Sequence, residues 1–297
     1  MNNDNDNDDA GLSPLMHQVA GCHSGTPSNI LINLKGQILK PYKPISNPTF
    51  DPDKDVNTKT DPKDLIPVTL NELQFYTILK NSTKSDFVLL REIAPKFYGS
   101  QFIRGTDHLI LEDLTYGMKS PCVMDLKIGK DRYYPGRSPD KAKLDTVKYP
   151  CLHEFGFCVT GIKLSNPSTG EVDFHLMPKI TRKFSSEEVA EHVRKFLHFG
   201  EKRSEILHKK VVEGGSRILN WASTQRSIFL RGSSLLFIYD AAGLKDTEDE
   251  NEKNTLNIKV RTIDFAHPFH SFGEEDTNYV DGLSNLVQLL KTGKLPK

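Results

Sequence analysis

Apolar residues recur along most of this chain with one of two periods, and three polar stretches interrupt them. Alternation at every second position marks strands, and recurrence at three and four positions marks helices. Residues 30–34 and 37–40 flank Lys35-Gly36 and predict a two-stranded hairpin with Gly36 in its turn. Leu70, Leu73, Tyr76 and Leu79 follow helix spacing and predict a helix over 70–79. Strands are predicted over 96–102 and 109–114, then through Asp125 after a turn at 117–121. Two more, 157–164 and 172–177, are joined by a turn at 166–170. Helices follow over 186–199 and from about 204 to 221, and strand returns over 235–239 and 258–265. A last helix, 279–290, carries Val280, Leu283, Leu286, Val287 and Leu290 on one face.

The interruptions set the domain reading. Residues 1–11 begin with a run of Asn and Asp too poor in apolar groups to offset the entropy of ordering, and are expected to be a disordered tail. Residues 42–67, rich in Pro, Asp, Lys and Thr, read as an insertion loop inside an N-terminal unit spanning 12–116. An acidic loop over 243–255 separates two apolar strands in a C-terminal unit spanning 117–297. A strand-rich front half and a mixed back half predict an α+β fold of two lobes around a cleft.

Composition narrows the class. The chain has 297 residues, enough for a substantial core, and 39 basic residues balance 39 acidic ones. No global field gathers a polyanion such as nucleic acid, so an anionic ligand must be held by a local cluster of cations. Cys22, Cys122, Cys151 and Cys158 lack zinc spacing and read as free thiols in a reducing compartment. No apolar run reaches the roughly 20 residues of a membrane span, and the polar N-terminus does not resemble a signal peptide. The expectation is a cytosolic or nuclear protein, and a monomer.

Candidate chemistry centres on Pro121-Cys122-Val123-Met124-Asp125-Leu126-Lys127-Ile128-Gly129. Side chains two apart on a strand share a side, so the Asp125 carboxylate and the Lys127 ammonium would enter one cleft. Phosphoryl transfer needs such a pairing, an acid to orient a hydroxyl and a cation to hold phosphate. Two distant segments, Ser233-Ser234-Leu235-Leu236-Phe237-Ile238-Tyr239-Asp240 and Arg261-Thr262-Ile263-Asp264-Phe265-Ala266-His267, complete a recognisable set.

Together these three segments resemble the signature of the inositol polyphosphate kinase family, whose hallmark is Pro-x-x-x-Asp-x-Lys-x-Gly. Met16-His17-Gln18-Val19-Ala20-Gly21 is similar to the opening motif of its multikinase and hexakisphosphate kinase branches. The resemblance implies a two-lobed, protein-kinase-like fold with ATP at the lobe junction, magnesium as cofactor and inositol polyphosphates as acceptors. It further implies that Lys40 contacts the ATP phosphates, that main-chain groups of Glu112 and Leu114 read the adenine edge, and that Asp264 holds the metal. Glu72 is a candidate partner for Lys40, with a solvated helix glutamate as the alternative. For Asp125 two roles stand open, accepting the acceptor's hydroxyl proton or orienting the ribose of ATP.

The acceptor end falls in 130–150, where Lys130, Arg132, Arg137, Lys141, Lys143 and Lys148 come after Lys127. Lys141 and Lys148 match the two lysines of the multikinase branch and would share one helix face two turns apart. His267 is implied as a phosphate contact, and Arg182 as a further basic position. Lys143, Leu144 and Asp145 depart from the glutamine run of the animal multikinases, which leaves the position specificity open. The Tyr133-Tyr134-Pro135 element favours the multikinase branch, acting on trisphosphate to pentakisphosphate, over hexakisphosphate kinases or trisphosphate 3-kinases. Phosphatidylinositol bisphosphate remains a candidate acceptor. A silent scaffold that binds inositol phosphates is the reading from another class, and it has no chemical use for Asp264.

Overall fold

The computed structural model describes residues 11–15, 18–19, 29–42, 69–141, 144, 149–244 and 256–297. The first two polar stretches, all but their edges, lie outside that set, as do 245–255 of the acidic loop, His17, Cys22, Lys143 and Lys148.

Among the described residues, three antiparallel sheets organise the fold. The first has five strands, β1 (Ser13–Pro14), β2 (Leu31–Asn33), β3 (Gln37–Pro41), β4 (Phe97–Ile103) and β5 (Thr106–Glu112), in the order β1-β2-β3-β5-β4. The hairpin predicted around Gly36 is its β2-β3 pair. Gly36 has φ +72°, and a Cβ there would lie 2.6 Å from the Tyr116 ring, so both conformation and space call for glycine. Between β3 and β4 come α1 (Glu72–Asn81) and α2 (Ser85–Ile93). A reciprocal capping box between Asn71 and Gln74 starts α1. No side-chain cap starts α2, and periodicity alone does not separate it from its neighbour.

The second sheet contains β6 (Pro121–Ile128), β7 (Phe157–Ser165), β8 (Val172–Leu176), β10 (Ser234–Asp240) and β11 (Ile258–Ile263), in the order β11-β10-β6-β7-β8. The signature strand β6 is thus central, and all but one of its residues are buried. Around the sheet lie α3 (Pro150–Phe155), α4 (Pro178–Thr181), α5 (Ser186–Phe196), α6 (Glu205–Thr224) and α7 (Thr277–Thr292). A small third sheet pairs β9 (Ile228–Phe229) with β12 (Phe269–His270).

One continuous apolar core runs from Leu70, Phe75 and Phe87 on the front side to Leu286 and Leu290 of α7. The helix α2 packs against α1, α6 and β11, so it links α1 to the second sheet.

Several predicted boundaries shift for identifiable reasons. The strand expected over 109–114 ends at Glu112, because the Asp113 carboxylate accepts from both the Thr115 N–H (2.8 Å) and the Thr115 hydroxyl (2.7 Å) and turns the chain. The strand expected over 258–265 stops at Ile263, since Asp264 adopts φ +62° and leaves the ladder. The helix expected over 186–199 stops at Phe196, where Leu197 caps it and His198 takes φ +47°. Of the segment 141–148, the structure describes only Lys141 and Leu144, both exposed, so the predicted lysine-bearing helix lies largely outside the described residues.

Candidate functional site

A cleft of about 780 Å³, its open mouth included, lies between the two five-stranded sheets. Its apolar end is lined by Val19, Leu111, Leu114, Val123, Leu236, Ile238 and Ile263. Val19, Leu114, Val123 and Ile238 form a buried cluster of their own. A glycine makes that cluster possible: a Cβ on Gly161 of β7 would lie 2.1 Å from the Val19 carbonyl oxygen. Val19 of the opening motif therefore roofs the slot. Glu112 meets the cleft at the end of β5. Its N–H donates to Lys96 O at 2.9 Å, its carboxylate accepts from Lys96 N–H at 3.3 Å, and Lys259 of β11 stands 3.5 Å away. A ligand can therefore reach Glu112 through its carbonyl, while its side chain ties the first sheet to β11.

Opposite the slot, three charged side chains from three elements meet. Lys40, near the end of β3, donates to Glu72 Oε1 at 2.8 Å and to Asp264 Oδ1 at 2.6 Å. Glu72 is the first residue of α1, and Asp264 comes directly after β11. The pairing expected of Glu72 is present, and the solvated alternative is not. Burial disfavours charge on Lys40, yet Asp264 and Glu72 together raise its pKa above the ordinary lysine value. Burial likewise opposes the charge of Asp264, but the Lys40 ammonium, its hydrogen bond and Lys127 hold the carboxyl below its usual range. Glu72 is pushed up, by burial and by the Asp264 charge, against the pull of Lys40. One ammonium is shared by two carboxylates, of which Asp264 is the more exposed.

Phe265 fixes this group from below. It is fully buried, packs against Phe75 (4.8 Å between ring centres) and edge-on to Tyr76 (5.4 Å), and its N–H donates to the Glu72 carboxylate.

Asp125 and Lys127 both come from central β6, as the two-residue spacing requires. Asp125 is buried and accepts from the Thr160 hydroxyl at 2.6 Å and from Ser234. Thr160 reaches it because β6 and β7 slip register at this point: Asp125 faces Gly161 and Leu126 faces Val159, leaving Thr160 as a bulge. Burial and the nearby Asp264 charge raise the Asp125 carboxyl to about 6 despite Thr160, Lys127 and Ser234. Lys127 is shifted down, by burial and by Arg132, although Asp125 and Asp264 favour its charge.

A second group of residues, expected from the sequence to face the acceptor, comes from loops. Tyr134 stacks flat on His267, with ring centres 3.8 Å apart and planes at 13°, and Arg137 lies 5.3 Å from the Tyr134 ring. Burial, Arg137, Arg132 and Lys127 lower His267 to about 4, so it is a neutral hydrogen-bonding group at neutral pH. Arg132 and Arg137 thus gather with Lys127 and His267. Lys141 is exposed, and no hydrogen bond or ion pair joins it to these groups among the described residues; Lys148 lies outside them, and Arg182 is exposed.

Among the described residues, no group of three or more His, Cys, Asp or Glu side chains surrounds a common point. Asp264, with Asp125 close enough to feel its charge, is the carboxylate set available to a divalent ion. That set fits magnesium, which commonly takes one or two carboxylates and completes its shell with nucleotide phosphate and water.

Sequence reasoning missed Thr160, whose role depends on a bulge, and Tyr134 as a partner of His267. It named Arg132 and Arg137 only within a run of cations.

Comparison with known proteins agrees with this geometry. A family model described as inositol polyphosphate kinase matches residues 108–291. Inositol polyphosphate multikinase of Mus musculus is 31% identical over 249 residues, covering 82% of this chain and 57% of its own length. Its Homo sapiens counterpart is 30% identical over 289 residues, covering 95% of this chain and 62% of its own. The chain thus spans about six tenths of the length of these curated relatives. Among solved structures, inositol phosphate multikinase Ipk2 from S. cerevisiae, in complex with ADP and Mn²⁺, superposes with a TM-score of 0.60 at 21% identity. That superposition covers 76% of this chain and 98% of Ipk2, and supports the α+β, kinase-like fold. With the family match spanning more than half of its residues, this chain belongs to the inositol polyphosphate kinase family.

Proposed function

We propose that the chain is an ATP-dependent kinase that phosphorylates hydroxyl groups of inositol polyphosphates, with a multikinase-like range from trisphosphate to pentakisphosphate. The observation that carries this reading is the meeting of Lys40, Glu72 and Asp264 at one end of a cleft that Asp125 also lines, with Lys127 two residues further along the same strand. The apolar slot suits adenine, with the Glu112 carbonyl and the main chain at Leu114 along its edge. Lys40 is placed for the nucleotide phosphates, held in position by Glu72.

Asp264 holds magnesium in this reading, with Asp125 the nearest second carboxylate. When bound, the ion neutralises charge on the transferred phosphoryl group. Asp125 takes the acceptor hydroxyl proton. A carboxyl raised to about 6 is ionised at neutral pH and yet basic enough for that task. Thr160 and Ser234 orient it, and Lys127 neutralises the phosphoryl group in transfer. Arg132, Arg137 and neutral His267 hold acceptor phosphates, with Lys141 and Lys148 as further cations. The relatives' names and the ADP and Mn²⁺ bound to Ipk2 support nucleotide and divalent-metal use.

The test is ATP turnover by the purified chain with magnesium and a panel of acceptors. The panel runs from inositol trisphosphate to hexakisphosphate, with phosphatidylinositol bisphosphate vesicles as a separate arm and product isomers resolved by chromatography. Magnesium-dependent turnover stimulated by tris- to pentakisphosphate is expected. Binding of inositol phosphates without any turnover would establish the scaffold reading instead.

A further inference from the structure

The Tyr-Tyr-Pro element after the signature strand is joined to more than His267. The Thr69 hydroxyl donates to the Pro135 carbonyl at 2.8 Å, across 66 positions of sequence. Thr69 is buried and forms an isolated antiparallel bridge with Phe269, and Leu70 N–H donates to Pro268 O at 2.9 Å. Tyr134, the residue before Pro135, stacks on His267, the residue before Pro268. Three separate segments therefore meet at Thr69: the acceptor-side turn at 134–137, the stretch after Asp264, and the residues that enter α1.

The next three residues tie this junction to the nucleotide end. Leu70 is fully buried, Asn71 caps α1, and Glu72 is the residue that grips Lys40. A two-residue spacer, fixed at one end by Thr69 and at the other by the capping box, leaves little room for Thr69 and Glu72 to move apart. A displacement of the acceptor-side turn is passed to the first turn of α1.

We propose that Thr69 is a positioning residue that latches the acceptor-side turn to α1, so that ordering the acceptor side and setting Glu72 against Lys40 are one event. Its expected result is reciprocal coupling: a bound acceptor tightens nucleotide binding, and bound nucleotide tightens acceptor binding by the same factor. The acceptor half of this inference rests on the kinase reading given above.

Two variants test it, Thr69→Val, which keeps branching and loses the hydroxyl, and Thr69→Ser, which keeps the hydroxyl. The first measurement is amide hydrogen exchange of the unliganded protein. With Val, exchange should quicken in both 131–137 and 70–76, and with Ser in neither. Quickening in 131–137 alone would overturn the latch. The second is calorimetric binding of a non-hydrolysable ATP analogue with magnesium, alone and with inositol tris-, tetrakis- or pentakisphosphate.

Wild type should bind the analogue about 5-fold or more tightly when acceptor is present. Thr69→Val should lose that gain while its affinity for the analogue alone changes less than about twofold. A gain retained in Thr69→Val, or absent from a wild type that binds both ligands, would overturn the coupling. If wild type binds no inositol phosphate, the kinase reading fails by itself, and hydrogen exchange still decides whether the latch exists.

Discussion

The two ends of the cleft are built from different materials. At the proposed nucleotide end, β3, the first turn of α1 and the residue after β11 deliver Lys40, Glu72 and Asp264, with Lys40 within hydrogen-bond distance of both carboxylates, and β6 delivers Asp125 beside them. At the proposed acceptor end, loops deliver Arg132, Tyr134, Arg137 and His267, and a ring stack replaces the ion-pair triad as the organising contact. Strand ends anchored in a shared core are held rigidly, whereas loop positions can change without disturbing the ladder. In the proposed reading the sheets therefore fix the donor chemistry, and the loops the choice of acceptor.

The sharpest test of that division is at Asp264. Asn tolerates its φ of +62° and keeps its shape while removing the charge that would hold a metal. Asp264→Asn should cut turnover by about 10²-fold or more with the thermal midpoint little changed. Turnover close to wild type would remove Asp264 from the chemistry.

Lys127 sits on the border between the two ends. Lys127→Ala should lower kcat by about 10- to 100-fold and change nucleotide affinity much less if, as proposed, the cation acts on the phosphoryl group in transfer. Weak nucleotide binding with normal saturated turnover would move Lys127 to the ground-state side.

Asp125 tests the cost of placing chemistry in the core. Its folded carboxyl stands at about 6 against an ordinary 3.8, so the folded state binds this proton more tightly than the unfolded one. Stability then falls as pH rises from about 4 to 6, and above 6 the ionised group costs its full amount. Asp125→Asn should abolish most turnover yet stabilise the fold at pH 7.5 by about 1–3 kcal/mol. The gain should shrink as pH drops below 6, as followed by urea unfolding at several pH values. A variant less stable than wild type at every pH would contradict the burial argument.

What the sequence made legible divides along the same line. Asp125 and Lys127 could be placed because a strand's two-residue period puts them on one side. Asp264 and Phe265 could be placed from an apolar strand ending in a polar residue, although the positive φ that turns Asp264 toward Lys40 left no mark in the pattern. Thr160 was not legible, since its hydrogen bond to Asp125 exists only because β6 and β7 slip by one residue. The helix α2 was missed for want of a capping side chain. At the acceptor end, Lys141 and Lys148 were chosen by helix spacing and resemblance. The stack of Tyr134 on His267 spans more than a hundred positions, and no local pattern encodes it.

The direct test of the central claim, that sheets fix the donor chemistry and loops fix the acceptor, is one set of Michaelis constants. ATP and inositol polyphosphate constants are measured at two salt concentrations for wild type, Arg132→Ala/Arg137→Ala and Lys141→Ala/Lys148→Ala. Removing one charge-assisted hydrogen bond should raise the acceptor constant by roughly 10-fold or more. The arginine pair should therefore show a steep rise and the lysine pair, of which Lys141 is exposed, a smaller one that fades as salt screens it. The ATP constant should stay within about twofold in both variants, because Arg132, Arg137 and Lys141 are not among the residues that line the slot. An ATP constant that rises in step with the acceptor constant would contradict the separation of the two ends.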